Sequence, residues 1–282
     1  MAGVTIKLFL PKGDAQSLRT AELLVNWTGM ALAGPRSQLD DLLAREELTR
    51  SGVYILLGVD PDTGKQSAYI GEAEVVRDRL KQHRDKEWGH VIVFVSKDEN
   101  LTKSHIRYLE GRLIEEAQKI PRFKLMNGQS GGSKLPESDR ADMEGFLGRI
   151  VQLLPVLGCD LLTPIIDVVA SGVKLRLIGK IKGVTAQGQR TAKGFVVFAN
   201  SEAVSSNRPS AKNYVSNILE MREGFNRDGT LVTVGDKLRF TRDTEFSSPS
   251  MAASVICGGH ANGLIFWRDK EGRELKEIEG EK

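Results

Sequence analysis

The 282-residue sequence is poor in cysteine, with only Cys159 and Cys257 far apart in the chain. That spacing suits neither a metal knuckle nor a disulfide scaffold, so two unpaired thiols in a reducing compartment are expected. Histidines number four, and His90 and His105 have no partner at a spacing that would hold a metal. No apolar run approaches the roughly 20 residues that a membrane helix needs. The opening MAGVTIKLFLPKGD breaks its apolar stretch too early for a signal peptide. These absences predict a cytoplasmic protein with no membrane partner, in which the Asn-x-Thr matches at Asn26 and Asn100 meet no glycosylation machinery. A net charge of +3 is too small by itself to argue for a polyanionic partner. Nothing repeats, which excludes a solenoid.

What is present is an ordinary globular composition, 40% hydrophobic and 27% charged, with length enough for two domains. Residues 1–50 hold two extended segments and a short helix with Leu39, Leu42, Leu43 and Leu48 to one side, and read as an N-terminal extension. Trp27 is the large aromatic there, expected in a core or contact role. GVYILL (52–57) and residues 67–71 flank an Asp60–Gly64 turn, which predicts a hairpin. A helix follows over 73–85, with Val76 and Leu80 as its buried pair. VIVFV (91–95) has the composition of a central strand buried on both faces. A second helix, about 103–119, is capped by Thr102 or Ser104. GQSGGSK (128–134) is a break lacking the P-loop spacing. An amphipathic helix over 137–157 then connects to a second region with strands near 173–179, 194–199 and 237–241 and a helix near 211–223.

On the helix from Ser104 to Lys119, Ile106, Leu109, Leu113 and Ala117 share a face, and Glu110 falls within it. A carboxylate in an apolar stripe costs several kcal/mol unless it is paired or binds a metal. Tyr108 is expected at the surface. Tyr54 and Tyr69 lie on the two hairpin strands, each beside a glycine, and Arg79 and His83 are one turn apart on the next helix. Phenols, a guanidinium and an imidazole in this order suit an anionic, phosphate-containing substrate.

Gly52-Val53-Tyr54, Tyr69-Ile70-Gly71, Arg79, His83, Glu110 and Asn127 together resemble the GIY-YIG nuclease family in order and spacing, over about residues 52–130. Val53 stands for the middle isoleucine, and the segment between the tripeptides is a few residues longer than typical. The resemblance implies a small three-stranded antiparallel sheet flanked by helices at 51–133. It also implies a metal-dependent endonuclease hydrolysing phosphodiester bonds in nucleic acid. In that scheme Glu110 holds one Mg²⁺ or Mn²⁺ ion, Tyr54 is the general base and Tyr69 positions the water or a phosphate oxygen. Arg79 stabilises transition-state charge, His83 bonds a phosphate oxygen or a tyrosine, and Asn127 orients the substrate or the Glu110 loop. DNA is favoured over RNA, because no aromatic-basic pattern of an RNA-recognition sheet is present.

Residues 165–282 form the remaining domain, after a connecting helix at 134–164. GFVVFANSEA (194–203), FSSPSMAASVICGGHANGLIFW (246–267) and DKEGRELKE (269–277) resemble an uncharacterised domain that recurs after GIY-YIG modules and in DNA-modification proteins. From Val173 to Arg242 there are 13 Lys and Arg against 5 Asp and Glu. Such an excess can hold a phosphate backbone and predicts a DNA- or partner-binding unit. Ser247, Ser248, Ser250 and His260 lack an acid to complete a triad and read as caps and tight packing. The fold class expected is α+β in both domains. The competing function is a catalytically inactive nucleic-acid-binding or regulatory protein that keeps the fold.

Overall fold

A computed structural model describes residues 3–62, 64–120, 122–127, 132–164, 175–191, 194–207 and 216–280. The chain is α+β and divides into two compact units, Met1–Thr163 and Pro164–Lys282. Among the described residues no helix is long and apolar enough to cross a membrane.

The first unit is built on seven strands: β1 (Ile6–Phe9), β2 (Arg19–Leu23), β3 (Gly29–Pro35), β4 (Gly52–Val59), β5 (Gln66–Ala73), β6 (His90–Ser96) and β7 (Lys124–Leu125). They lie in the order β1-β2-β3-β6-β4-β5-β7, antiparallel except for the short parallel β5–β7 edge. The expected three-stranded sheet is therefore the middle of a wider one. Residues 1–50 are not a separate extension, because β3 pairs with β6 from Gly29 opposite Ser96 to Pro35 opposite His90. That pairing is long-range and its strand, GMALAGP, is rich in small residues of low β-propensity, so nothing local announces it. Gly29 has a packing reason: a Cβ there would collide with the Trp27 ring.

Because β4 and β6 are central, they are apolar on both faces. Val53, Ile55, Ile92 and Phe94 face a core completed by α3 (Lys103–Gln118) and α4 (Glu137–Leu153). Tyr54, Leu56, Val91, Val93 and Val95 face a second core with α1 (Leu39–Leu43), Leu48 and α2 (Val76–Lys81). Trp27 packs with its ring centre 5.1 Å from that of Phe146 on α4, the two planes tilted by 57°. Thr102 caps α3 by accepting from the His105 backbone, and the His105 ring accepts in return from the Thr102 amide. Tyr108 is not a surface residue. It packs half-buried against the α4 side of the core and donates to Glu144 at 2.7 Å, a contact that appears only once α4 folds back on α3.

In the second unit β8 (Leu177–Ile181), β9 (Val184–Thr191), β10 (Gly194–Val197) and β14 (Thr244–Phe246) form one antiparallel sheet. A smaller sheet joins β11 (Glu202–Val204), β12 (Leu231–Val234) and β13 (Lys237–Phe240). The helices are α5 (Ser216–Arg227), α6 (Pro249–Cys257), α7 (Gly263–Phe266) and α8 (Leu275–Gly280). The helix expected at 211–223 is described from Ser216 onward; its earlier part, the start of the 173–179 strand and most of the 128–134 break lie outside the described residues. Trp267 is fully buried, 4.4 Å from the Phe195 ring, and donates to the Pro249 carbonyl at 3.0 Å. The small residues of α6 are buried, Ser248 caps it, and Gly258 closes it in the left-handed region where a Cβ would strike the Ser206 carbonyl. Ser250 and Ser254 accept from the Gly263 and Ala261 amides, so these hydroxyls hold the chain rather than form a triad.

Candidate functional site

Tyr54 points from β4 into the α2 face of the sheet and is completely buried. Its phenol crosses over β5 at Gly71, where a Cβ would collide with the phenol oxygen. Glycine is therefore required opposite the tyrosine it pairs with in the ladder, Tyr54 with Gly71. Tyr69, two residues back on β5 and on the same face, brings its ring 6.2 Å from Tyr54 and 5.4 Å from His83. The Tyr54 hydroxyl lies 2.8 Å from His83 Nε2. His83 follows α2, and its carbonyl accepts from Trp88 Nε1 at 2.9 Å, which fixes the turn that aims the imidazole. Two tyrosines and a histidine thus form a triangle of rings on one face of a rigid hairpin.

The electrostatics of this triangle are set by burial first. Burial raises the Tyr54 pKa above the ordinary phenol value, although the Arg79 guanidinium beside it pulls the other way. Burial also pushes the His83 pKa down to about 4, with Lys86 and Arg79 adding to the effect. At neutral pH the pair is a phenol and an uncharged imidazole. His83 is 2% exposed, and its Nδ1 has no hydrogen-bond partner among the described residues. Arg79 is exposed, with one arm donating to Gln82 at 2.9 Å, and the Lys86 ammonium sits 5.2 Å from the Tyr69 ring centre. Positive charge therefore collects beside the buried Tyr54–His83 pair.

Glu110 reaches the site from the other side of the sheet. It is half-buried on α3, and its pKa is raised by burial and by the Glu72 carboxylate, against Arg107 and Arg79. Glu110 makes no hydrogen bond or ion pair among the described residues. Glu72 follows Gly71 on β5, and strand alternation turns it toward α3, away from Tyr69. Sequence reasoning missed Glu72; its place directly after Tyr-Ile-Gly, one residue out of phase with the tyrosine, was the available signal. No group of three or more His, Cys, Asp and Glu that could hold a metal occurs among the described residues. The donor set still suits a hard divalent ion: two carboxylates whose mutual repulsion a cation would relieve, with the remaining positions open to water and phosphate.

Asn127 has a different place from the one expected. Its Oδ1 accepts from the Ile70 amide at 2.9 Å and its Nδ2 donates to the Ile70 carbonyl at 2.6 Å. Both ends of the carboxamide are occupied by β5 backbone, so it continues the β5–β7 ladder (Ser67 with Lys124, Ala68 with Leu125) by a side chain. It positions the strand that carries Tyr69 and Gly71. The site thus unites Tyr54, Tyr69, His83 and Arg79 on one face, sets Glu110 and Glu72 on the opposite, α3 face, and anchors β5 with Asn127.

In the second unit, the basic excess is partly internal. Arg222 is buried, donating to the Val204, Ser205 and Val255 carbonyls, while Lys237 pairs with Glu202 and Arg242 with Asp228. Lys174, Lys193, Arg208 and Lys212 lie outside the described residues.

The chain is, in architecture, a two-unit α+β protein whose first unit presents a tyrosine–histidine cluster. Residues 177–279 of the second unit match the family described as Domain of unknown function (DUF4357). No curated protein and no solved structure matches the chain. The family match begins after the tyrosine-bearing sheet, so the reading of that sheet rests on its own residues.

Proposed function

We propose that residues 52–127 form a metal-dependent phosphodiesterase site of the GIY-YIG kind, cutting nucleic acid, with DNA the favoured polymer. The observation that carries this reading is the buried Tyr54–His83 hydrogen bond set beside Arg79, with Glu110, which has no hydrogen bond or ion pair among the described residues, on the opposite face of the sheet.

A buried phenol with a raised pKa is a poor base alone. Hydrogen-bonded to neutral His83, it can act as a relay. The attacking water gives its proton to the Tyr54 oxygen while the Tyr54 proton passes to His83 Nε2. The water oxygen bonds to phosphorus, and the bond from phosphorus to the leaving 3′ oxygen breaks, that oxygen keeping the electron pair and taking a proton from solvent, to which the imidazolium later returns its own. Burial is the main cause of the lowered His83 pKa, and arrival of the phosphate anion counters the Lys86 and Arg79 charges that add to it, so the imidazole becomes a better acceptor when substrate is bound. Arg79 supplies a fork of donors to the non-bridging oxygens, whose negative charge grows in the transition state. The Tyr69 hydroxyl orients a phosphate oxygen. Glu110, with the Glu72 carboxylate close enough to raise its pKa, would hold a Mg²⁺ or Mn²⁺ ion, which would supply Lewis-acid polarisation of the scissile phosphate. The second unit holds the polymer through its exposed lysines and arginines, and binding falls steeply with salt.

A panel of single-stranded, duplex and branched DNA and RNA with Mg²⁺ or Mn²⁺ tests the reading. Cutting by the wild type, lost in Tyr54→Phe and Glu110→Ala with binding retained, is the expected result. Equal cutting by all three proteins would remove the site assignment. Binding without cutting by the wild type would leave the second reading, a non-catalytic nucleic-acid-binding protein, which the raised Tyr54 pKa favours.

A further inference from the structure

Beside the tyrosine cluster, on the same face of the β4–β5 hairpin, the first unit contains a cavity of about 410 Å³. That is within the ~300–1,000 Å³ range of small-molecule sites. Its walls are mainly apolar and include Leu56, Val59, Tyr69, Trp88 and Met126. Tyr69 belongs to both places: one side of its ring environment is His83 at 5.4 Å, and the ring also lines the cavity. Leu56 and Ser67 sit two residues along their strands from Tyr54 and Tyr69, so the cavity lies one strand repeat, about 7 Å, from the cluster. That is the reach from a backbone phosphate to its own base.

We infer that this cavity takes a single unstacked nucleobase of the strand whose phosphate lies at Tyr69 and Arg79. The inference rests on the nucleic-acid reading of the cluster and narrows its substrate to one with an unpaired or extruded nucleotide next to the scissile bond. Three features select a base over other occupants. The aromatic walls supplied by Tyr69 and Trp88 match a flat π-system, and base stacking on such rings is indifferent to sequence. The polar lining can serve a base edge: Ser67 can donate or accept, the Glu87 carboxylate can accept from an exocyclic amine, and Lys86 lines the cavity while its ammonium covers the Tyr69 ring. Asp60 is buried and paired with Lys124, so the interior is not an anion site. Val59 and Met126 are 61% and 52% exposed although they line the cavity, leaving apolar surface in water that a base would cover. A base held inside a duplex cannot enter; extrusion costs least where the nucleotide is mismatched or already single-stranded.

The test uses the full chain with Ca²⁺ in place of Mg²⁺ and single-stranded oligonucleotides carrying 2-aminopurine or an abasic site, walked through every position. The expected result is quenching of 2-aminopurine at one position, with roughly tenfold weaker binding when that position is abasic. Two paired variants separate the cavity from charge effects: Val59→Asn with Met126→Asn, and Val59→Asp with Met126→Asp. Both positions are exposed, so folding is retained. Both pairs should lose the quench and the abasic penalty, while the uncharged pair keeps wild-type affinity for the abasic strand. A flat abasic scan, or an effect confined to the charged pair, overturns the proposal. If the scan is flat but Tyr54→Phe and Glu110→Ala abolish cutting, the nuclease reading stands and the base site falls. If one position is read but nothing is cut, the base site stands and the nuclease reading falls.

Discussion

The Tyr54 hydroxyl and His83 Nε2 are 2.8 Å apart in a site where the tyrosine is wholly buried and the histidine nearly so. Removing the hydroxyl separates chemistry from stability. In Tyr54→Phe the ring still packs over Gly71, and a buried polar atom is lost along with its partner's bond, so stability should change by no more than about 1–2 kcal/mol. Activity should fall by roughly 10²–10⁴, the usual worth of a positioned proton-transfer group. Denaturation midpoints and single-turnover cleavage measure the two. A Tyr54→Phe protein as active as wild type would exclude the relay.

Burial and then the Glu72 carboxylate raise the Glu110 pKa, so the two carboxylates repel each other. Glu110→Gln removes that repulsion, and the metal-free variant should be as stable as the wild type or more so. Mg²⁺ or Mn²⁺ should raise the melting temperature of the wild type, following the linkage between binding and folding, and leave Glu110→Gln unmoved. Equal metal-induced shifts in both proteins would place the ion elsewhere. Glu72→Gln should give a smaller shift than wild type.

Asn127 serves the strand, so Asn127→Ala should act through β5. Losing both bonds to Ile70 leaves a part-buried amide and carbonyl unpaired, a cost of about 1–3 kcal/mol. Hydrogen exchange at the Ile70 amide should accelerate before global unfolding, and kcat should drop with Tyr69 displaced. Unchanged protection at Ile70 would contradict the clamp.

Two histidines give the fold a pH dependence. Burial pushes the pKa of both His83 and His90 down to about 4. Each binds a proton more readily when unfolded, near pH 6.5. Their stabilising effect is therefore complete above about pH 6.5 and is lost progressively as pH falls from there to about 4. Urea midpoints at pH 7 and 4.5 should show this fall, and His83→Gln with His90→Gln should flatten it. An identical slope in the double variant would assign the dependence to carboxylates.

The central hairpin was legible in the sequence because its signals are local: the apolar run from Gly52 to Leu57, the Asp60–Gly64 turn and the alternation around Tyr69. The α3 stripe and its Thr102 cap were readable for the same reason. What stayed hidden depends on partners distant in the chain. The pairing of β3 with β6, the packing of Tyr108 against Glu144 and the inward turn of Arg222 each require a neighbour that no window of sequence contains. Asn127 was expected to orient the substrate or the Glu110 loop; that its carboxamide holds the Ile70 backbone was not readable. Glu72 was missed because its influence on Glu110 exists only once α3 is set against β5.

The Asn127 clamp also constrains the length of the chain before it. Between the end of α3 and Asn127 the segment must deliver Lys124 and Leu125 in register with Ser67 and Ala68, and then the carboxamide to Ile70. Strand alternation has a period of two, so a single residue added between Arg122 and Leu125 would turn the carboxamide to the opposite face. This strap tolerates substitution at its exposed positions far better than any change in count, and it sets the working ruler between the helix bearing Glu110 and the strand bearing Tyr69.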